Sequence, residues 1–229
     1  MAAPLVGICT GLRGDEQVIE RSYIEAVEAA GATPVLLPMC ADESALQPLL
    51  QAIGGLLIPG GPGISDRLVG DLPPDLPPVD PLRRRNEIQA YEAMRSRGRP
   101  LLGICYGMQF INARCGGSIF ADAQEAVGVG AHSPKRNGGA PVFHPVGVEG
   151  GTRLGAAVGA GPHEANSYHL QAVDEVGAGL RVNARSADGL VEGVESADGR
   201  MLGVQFHPER MPDSVWAALF TDLVEKAAR

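Results

Sequence analysis

The first hundred residues alternate short, wholly apolar runs with helical patterns, and few folds accommodate that alternation. Leu5 to Cys9, Val35 to Leu37, Leu56 to Ile58 and Leu101 to Ile104 are continuous apolar runs of strand length. A strand that is apolar on both faces must be covered on both faces, which is the condition of a parallel sheet between helices. The intervening segments supply the helices. Val18 to Ala30 carries Ile19, Tyr23, Ala26, Val27 and Ala30 at helical spacing, with Gly31 as a stop. Ala45 to Ile53 puts Leu46, Leu49, Leu50 and Ile53 on one face behind Asp42 or Ser44 as candidate caps. Residues 83–97 read as a charged helix.

The alternation breaks twice, in a proline-rich loop from Pro62 to Pro81 and a loop from Ala131 to Ala140. Long loops inside a compact domain are functional or disordered. Beyond them the pattern turns β-like: Leu180 to Arg185, Leu190 to Glu195 and Met201 to Phe206 are predicted strands, with Asp198-Gly199 as a turn. A helix from Asp213 to Ala227, with Val215, Leu219, Phe220 and Leu223 as its apolar stripe, closes the chain. With 229 residues and no internal repeat or linker, one domain spanning residues 1–229 is expected.

Composition narrows the partners. The 19 Lys plus Arg against 27 Asp plus Glu give a net charge of −8, and no basic run offers a nucleic-acid or anionic-membrane surface. No run approaches the ~18 apolar residues of a membrane span. Met1 to Gly14 lacks a signal-peptide pattern, so a cytoplasmic setting is expected, with Cys9, Cys40, Cys105 and Cys115 as reduced thiols. No His, Cys, Asp or Glu cluster has metal-ligand spacing, so neither metal nor cofactor is expected.

Gly103-Ile104-Cys105-Tyr106-Gly107 carries the chemistry. It has the form G-x-nucleophile-x-G between a buried strand and a helical pattern, the context a nucleophile elbow requires. Small neighbours permit the tight turn, and the helix N-terminus favours a thiolate at Cys105. The alternative is a buried cysteine between two packing glycines. His207, in Gln205-Phe206-His207-Pro208-Glu209, follows the Met201 to Phe206 strand and is the candidate base. Glu209, two residues on, can accept from the imidazole and fix its tautomer, which completes the logic of a triad. Gly60-Gly61-Pro62-Gly63 follows a strand, and its Gly61 N–H with the Tyr106 N–H would form an oxyanion hole; the alternative is an ordinary turn. His132 and His163, in glycine-rich loops, are expected to be exposed, His144 structural, and Arg83-Arg84-Arg85 a solvated helix start.

Together GGPG, GICYGMQ and QFHPE resemble the class I glutamine amidotransferase superfamily. Asn166 to Gln171, His144 to Glu149, Asp188 to Glu192 and Asp80 to Glu87 are similar to its peptidase C26 branch, which includes γ-glutamyl-γ-aminobutyrate hydrolase and γ-glutamyl hydrolase. The resemblance implies an α/β, flavodoxin-like three-layer sandwich with a mostly parallel central sheet and additional antiparallel strands in the C-terminal half. It implies Cys105 as nucleophile, His207 as base then acid, Glu209 as orienting carboxylate, and Gly61 and Tyr106 as backbone oxyanion donors. Gln109, Ser167, Tyr168 and His169 would hold a small γ-glutamyl substrate. The implied activity is thioester-mediated hydrolysis of a γ-glutamyl-amine conjugate, with a homodimer as a candidate assembly. Two alternatives stand beside it: a glutaminase subunit serving a separate synthase, and a non-catalytic metabolite-binding homologue. GGPG, Tyr106, Leu170 and Arg84 depart from the branch pattern, leaving the triad intact and the leaving amine open.

Overall fold

The structure is a computed structural model describing residues 2–229. Its first half runs Leu5–Cys9 (β1), Gly11–Arg13 (β2), Glu16–Val18 (β3), Arg21–Ala29 (α1), Thr33–Leu37 (β4), Gln47–Ala52 (α2) and Gly55–Ile58 (β5). Leu68–Val69 (β6), Pro81–Ser96 (α3), Leu101–Ile104 (β7), Tyr106–Arg114 (α4), Ile119–Phe120 (β8) and Ala123–Val127 (α5) follow. The second half adds Phe143–Val148 (β9), Arg153–Val158 (α6), Gly161–Asn166 (β10) and Ala172–Val173 (β11). Leu180–Ser186 (β12), Val191–Ser196 (β13), Met201–Val204 (β14) and Ala218–Ala227 (α7) complete it.

The sheet has the order β10-β9-β12-β13-β14-β7-β5-β1-β4. From β4 to β14 the pairings are parallel, and from β14 outward they are antiparallel. Numbered among themselves, the five parallel strands stand 2-1-3-4-5, the flavodoxin-like order that the family resemblance implies. Alternate residues of these strands feed two cores. On one face Val6, Ile8, Leu57 and Leu102 pack with Tyr23 and Val27 of α1, Trp216, and Phe220 and Leu223 of α7. On the other, Leu56, Ile58 and Leu101 pack with Leu50 of α2, Tyr91 and Met94 of α3, and Phe110 of α4. Those are the three layers.

Some boundaries differ from the periodic reading. The helix predicted from Val18 starts at Arg21, because Glu16–Val18 pairs with Gly11–Arg13 as a hairpin turned at Gly14, whose φ is +57°. Asp42 caps a short 3-10 turn, Glu43–Leu46, by accepting from Ser44 N, and α2 begins only at Gln47. The last helix is likewise split into a Val215–Ala217 turn and α7. The outermost strand β10 and its neighbour β9 escape periodicity reading because Pro145, Gly147 and Pro162 interrupt them.

The parallel strands deliver their C-terminal ends to one rim, where Pro59-Gly60-Gly61 follows β5, Cys105 follows β7 and Gln205 to His207 follow β14. The elbow at β7 depends on missing side chains. A Cβ on Gly107 would lie 2.1 Å from Ile58 O, and one on Gly103 would lie 2.5 Å from the Gly107 carbonyl. Helix α4 therefore sits on β5 and β7 at a distance that only glycine permits. Gly107→Ala should cost at least about 1–3 kcal/mol through overpacking against backbone, read by chemical denaturation, and should displace Cys105 enough to reduce its alkylation rate.

Candidate active site

Cys105 occupies the step from β7 into α4 with φ 52° and ψ −105°, a conformation rare outside glycine. Such strain concentrates at functional sites. The turn is held from both sides: Cys105 N–H donates to Val204 O at 2.8 Å, and Cys105 O accepts from Gln109 N at 3.1 Å. Gln205 Nε2 lies 3.5 Å from the Cys105 Sγ and points a donor at it.

His207 follows β14, the strand paired with β7, and so stands on the same rim as Cys105. Its main chain is clamped by Asn166, whose Oδ1 accepts from His207 N at 2.8 Å and whose Nδ2 donates to His207 O at 2.9 Å. Its Nδ1 lies 2.7 Å from Glu209 Oε1, and a carboxylate there fixes the N–H on Nδ1 and leaves Nε2 for chemistry. Burial pulls the imidazole down, but hydrogen bonds and charge from Cys105 and Glu209 outweigh it and push His207 up to about 10. The imidazole should thus stay protonated through neutral pH and release its proton only as pH passes about 10. Cys105→Ala removes the leading cause of that rise, so the midpoint followed by NMR of the ring protons should fall.

Tyr23 ties the glycine loop to this pair. Its hydroxyl accepts from Gly60 N at 3.0 Å and lies 3.4 Å from His207 Nδ1. Burial, then the Glu209 charge, raise it well above the usual phenol range. In the sequence Tyr23 is one more apolar position on an amphipathic helix, and nothing there marks it.

Cys105 stands where two cavities meet. One, of about 520 Å³, is lined by Gly60, Gly61, Arg13, Arg83, Tyr168, His207 and Arg210. The other, of about 200 Å³, is lined by Gly61, Tyr106, Gln109, Ser133, Lys135, Tyr168, His169 and Gln171. Cys105, Gly61, Pro62 and Tyr168 border both, so the two form a two-lobed cleft around the sulfur. Gln109 spends its amide N–H groups on Gln171 O and Gln205 Oε1, at 2.9 and 3.1 Å, leaving its Oε1 as acceptor. Ser167 is fully buried, with its N–H on Val142 O and its hydroxyl on His132 O, so it braces the segment that presents Tyr168.

The arginine run is not the solvated helix start expected from sequence. Arg83 is 4% exposed and bonds Glu87 at 2.8 Å, with Gly60 O at 3.3 Å and the Tyr106 ring centroid 4.7 Å away. Tyr106 O–H closes the group onto Glu87 Oε2 at 2.7 Å. Burial pushes Glu87 up, against the pull of Arg83 and Tyr106. Arg84 instead forms a two-pronged pair with Asp66, and Arg85 is exposed beside Glu43. The histidine expectations also need correction. His132 is 7% exposed, folded inward with Nε2 on Asp188 at 2.9 Å, whereas His163 is half-buried against Trp216. The ring of His169 is 1% exposed and faces Glu192, although the residue borders the smaller lobe.

The peptidase C26 family model matches residues 4–209. The γ-glutamyl-γ-aminobutyrate hydrolase PuuD of Escherichia coli (strain K12) is 34% identical over 222 residues, covering 91% of this chain and 87% of that protein. A Schizosaccharomyces pombe protein whose name assigns it to the glutamine amidotransferases is 30% identical over 218 residues, covering 93% of this chain and 81% of its own. A Thermoplasma acidophilum crystal structure bearing the name of a GMP synthase component superposes with TM-score 0.65 at 17% identity, over 99% of this chain and 94% of that one, a likeness of fold. The chain belongs to the peptidase C26 family, on the fold of the class I glutamine amidotransferases.

Proposed function

We propose that the protein hydrolyses the γ-glutamyl amide bond of a small conjugate whose leaving amine carries a carboxylate. The observation that supports the reading is that Cys105 lies where the two lobes join, while His207, bonded to Glu209, lines the larger lobe beside it. In the smaller lobe, Gln109, Lys135 and Tyr168 would bind the glutamyl group, with His169 and Ser167 fixing the wall behind them. The Cys105 sulfur attacks the γ-carbonyl, and the oxyanion is received by the N–H groups of Gly61 and Tyr106. His207 passes its proton to the departing amine, which leaves through the larger lobe. Water, deprotonated by the same imidazole, cleaves the thioester and releases glutamate.

Of the arginines on the larger lobe, Arg83 is paired with Glu87 and Arg210 with Glu20, which leaves Arg13 as the cation that would receive an anionic leaving group. The named activity of PuuD, on γ-glutamyl-γ-aminobutyrate, is of this kind. A charged hydrogen bond is worth about 1.5–3 kcal/mol, so γ-glutamyl-γ-aminobutyrate should exceed glutamine and γ-glutamylputrescine in kcat/KM on the order of 10–100-fold. Glutamate release by the purified chain measures this. Equal turnover of all three would remove the arginine lobe from the account.

The amidotransferase reading draws on Gly60-Gly61-Pro62-Gly63, on Tyr106 and on the names of relatives such as the fission-yeast protein. Glutaminase activity that appears only with an added synthase partner would favour it.

A further inference from the structure

Four side chains remote in sequence converge behind the segment that presents Tyr168. His132, His144, His169 and Glu192 each place one ligand atom within 4.8 Å of the others. Glu192, on β13, is fully buried, and neither of its carboxylate oxygens has a hydrogen-bond donor. Its Oε1 lies 3.6 Å from His132 Nδ1, 3.8 Å from His144 Nε2 and 3.4 Å from His169 Nε2. These separations are too long for good hydrogen bonds. They lie within a few tenths of an ångström of the ligand–ligand spacing, about 3.3 Å, of a tetrahedral site with ~2.0–2.1 Å bonds.

The outer nitrogens set the protonation. His132 Nε2 faces Asp188 Oδ2 at 2.9 Å, His169 Nδ1 faces Gln171 O at 3.0 Å, and His144 Nδ1 faces Pro145 O at 3.4 Å. Each of those oxygens accepts, so each outer nitrogen carries a hydrogen, and in the neutral imidazole each inner nitrogen presents a lone pair. Ser167 Oγ does not relieve this, because its hydrogen goes to His132 O at 2.8 Å. Three lone pairs and a buried carboxylate thus point at one space. A proton on Glu192 could satisfy one nitrogen; a divalent cation satisfies all four groups. An imidazole held from behind by a carboxylate or carbonyl is also the usual outer arrangement of a metal ligand.

We propose that His132, His144, His169 and Glu192 bind one divalent transition-metal ion of the zinc class, in tetrahedral N3O coordination. No step of the proposed hydrolysis runs through it. The ion would pin the loop bearing Ser133 and Lys135, and the segment bearing Tyr168 and Gln171, to β13. Gln171 O also accepts from Gln109, which bonds Gln205, whose amide reaches Cys105. The clamp would therefore position the small lobe and, through that chain, the sulfur. The expectation of no metal rested on local spacing, and this set has none: its members come from a loop, β9, the segment after β10, and β13.

The test uses untagged full-length Cys105→Ala protein, so that this thiol does not compete, stripped with a chelator and titrated with Co²⁺ and then Zn²⁺. The expected result is one equivalent of Co²⁺ with the intense visible bands of tetrahedral coordination, displaced by one equivalent of Zn²⁺. His144→Ala, at the least buried ligand, should abolish the bands while the protein still melts cooperatively. Asp188→Asn, behind His132, should weaken binding roughly 10–100-fold. Folded wild-type-site protein that takes up no stoichiometric metal overturns the proposal, as does an unchanged spectrum in His144→Ala. An infrared band of a protonated carboxyl that disappears in Glu192→Gln would assign a neutral, metal-free cluster and overturn it equally.

Discussion

Cys105→Ala should reduce release of glutamate from a γ-glutamyl amide by roughly 10⁴-fold or more, since loss of a nucleophile leaves only what binding and the oxyanion donors supply. Alanine fits the space and removes no structural hydrogen bond of the main chain, because Val204 O and Gln109 N bond the Cys105 backbone. The melting temperature should therefore stay near that of the wild type, separating loss of chemistry from loss of fold. Glu209→Gln tests the same assembly from behind. It keeps the size of the side chain and removes the charge that holds His207 in its working tautomer, a change worth about 10⁴-fold in a comparable triad. If Cys105→Ala retains its turnover, the cysteine mechanism is wrong.

Arg83→Leu should be the most destabilising change among the residues around the cleft. The Arg83–Glu87 pair is buried on both sides, with side-chain exposures of 4% and 3%. Removing one partner of such a pair costs about 3–5 kcal/mol, because the other charge is left without compensation. In a domain of this size that corresponds to a fall in melting temperature of roughly 6–20 °C. Glu87, already pushed up by burial, would lose the pull of Arg83 that holds it down and take a proton more readily, so the deficit should shrink as pH is lowered. Arg83→Leu with Glu87→Leu should recover much of the loss. Equal stability of wild type and Arg83→Leu would mean that the pair is a bystander.

Local signals made part of this legible beforehand. Apolar runs of strand length gave away the parallel core, and two pentapeptides marked the candidates: Cys105 because an elbow needs glycines at fixed offsets, His207 and Glu209 because a carboxylate two residues past a histidine at a strand end can orient it. What escaped was set by tertiary contact. Arg83 reads as one of three surface arginines until α3 turns it onto Glu87 and Gly60. Tyr23 reads as core until its hydroxyl is seen to meet Gly60. His132, His144, His169 and Glu192 have no common spacing, and only the pairing of β9 with β10 and β12 and of β12 with β13 brings them together. Short strands broken by proline and glycine carried too little period to reveal that pairing.

If glutamate passes through a thioester on Cys105, rapid-quench mass spectrometry during turnover will trap it. The expected result is a transient mass increase of one glutamyl group, mapped to the peptide containing Cys105 and absent in Cys105→Ala. Turnover with no such adduct, or an adduct on Cys9, Cys40 or Cys115 that persists in Cys105→Ala, would contradict it.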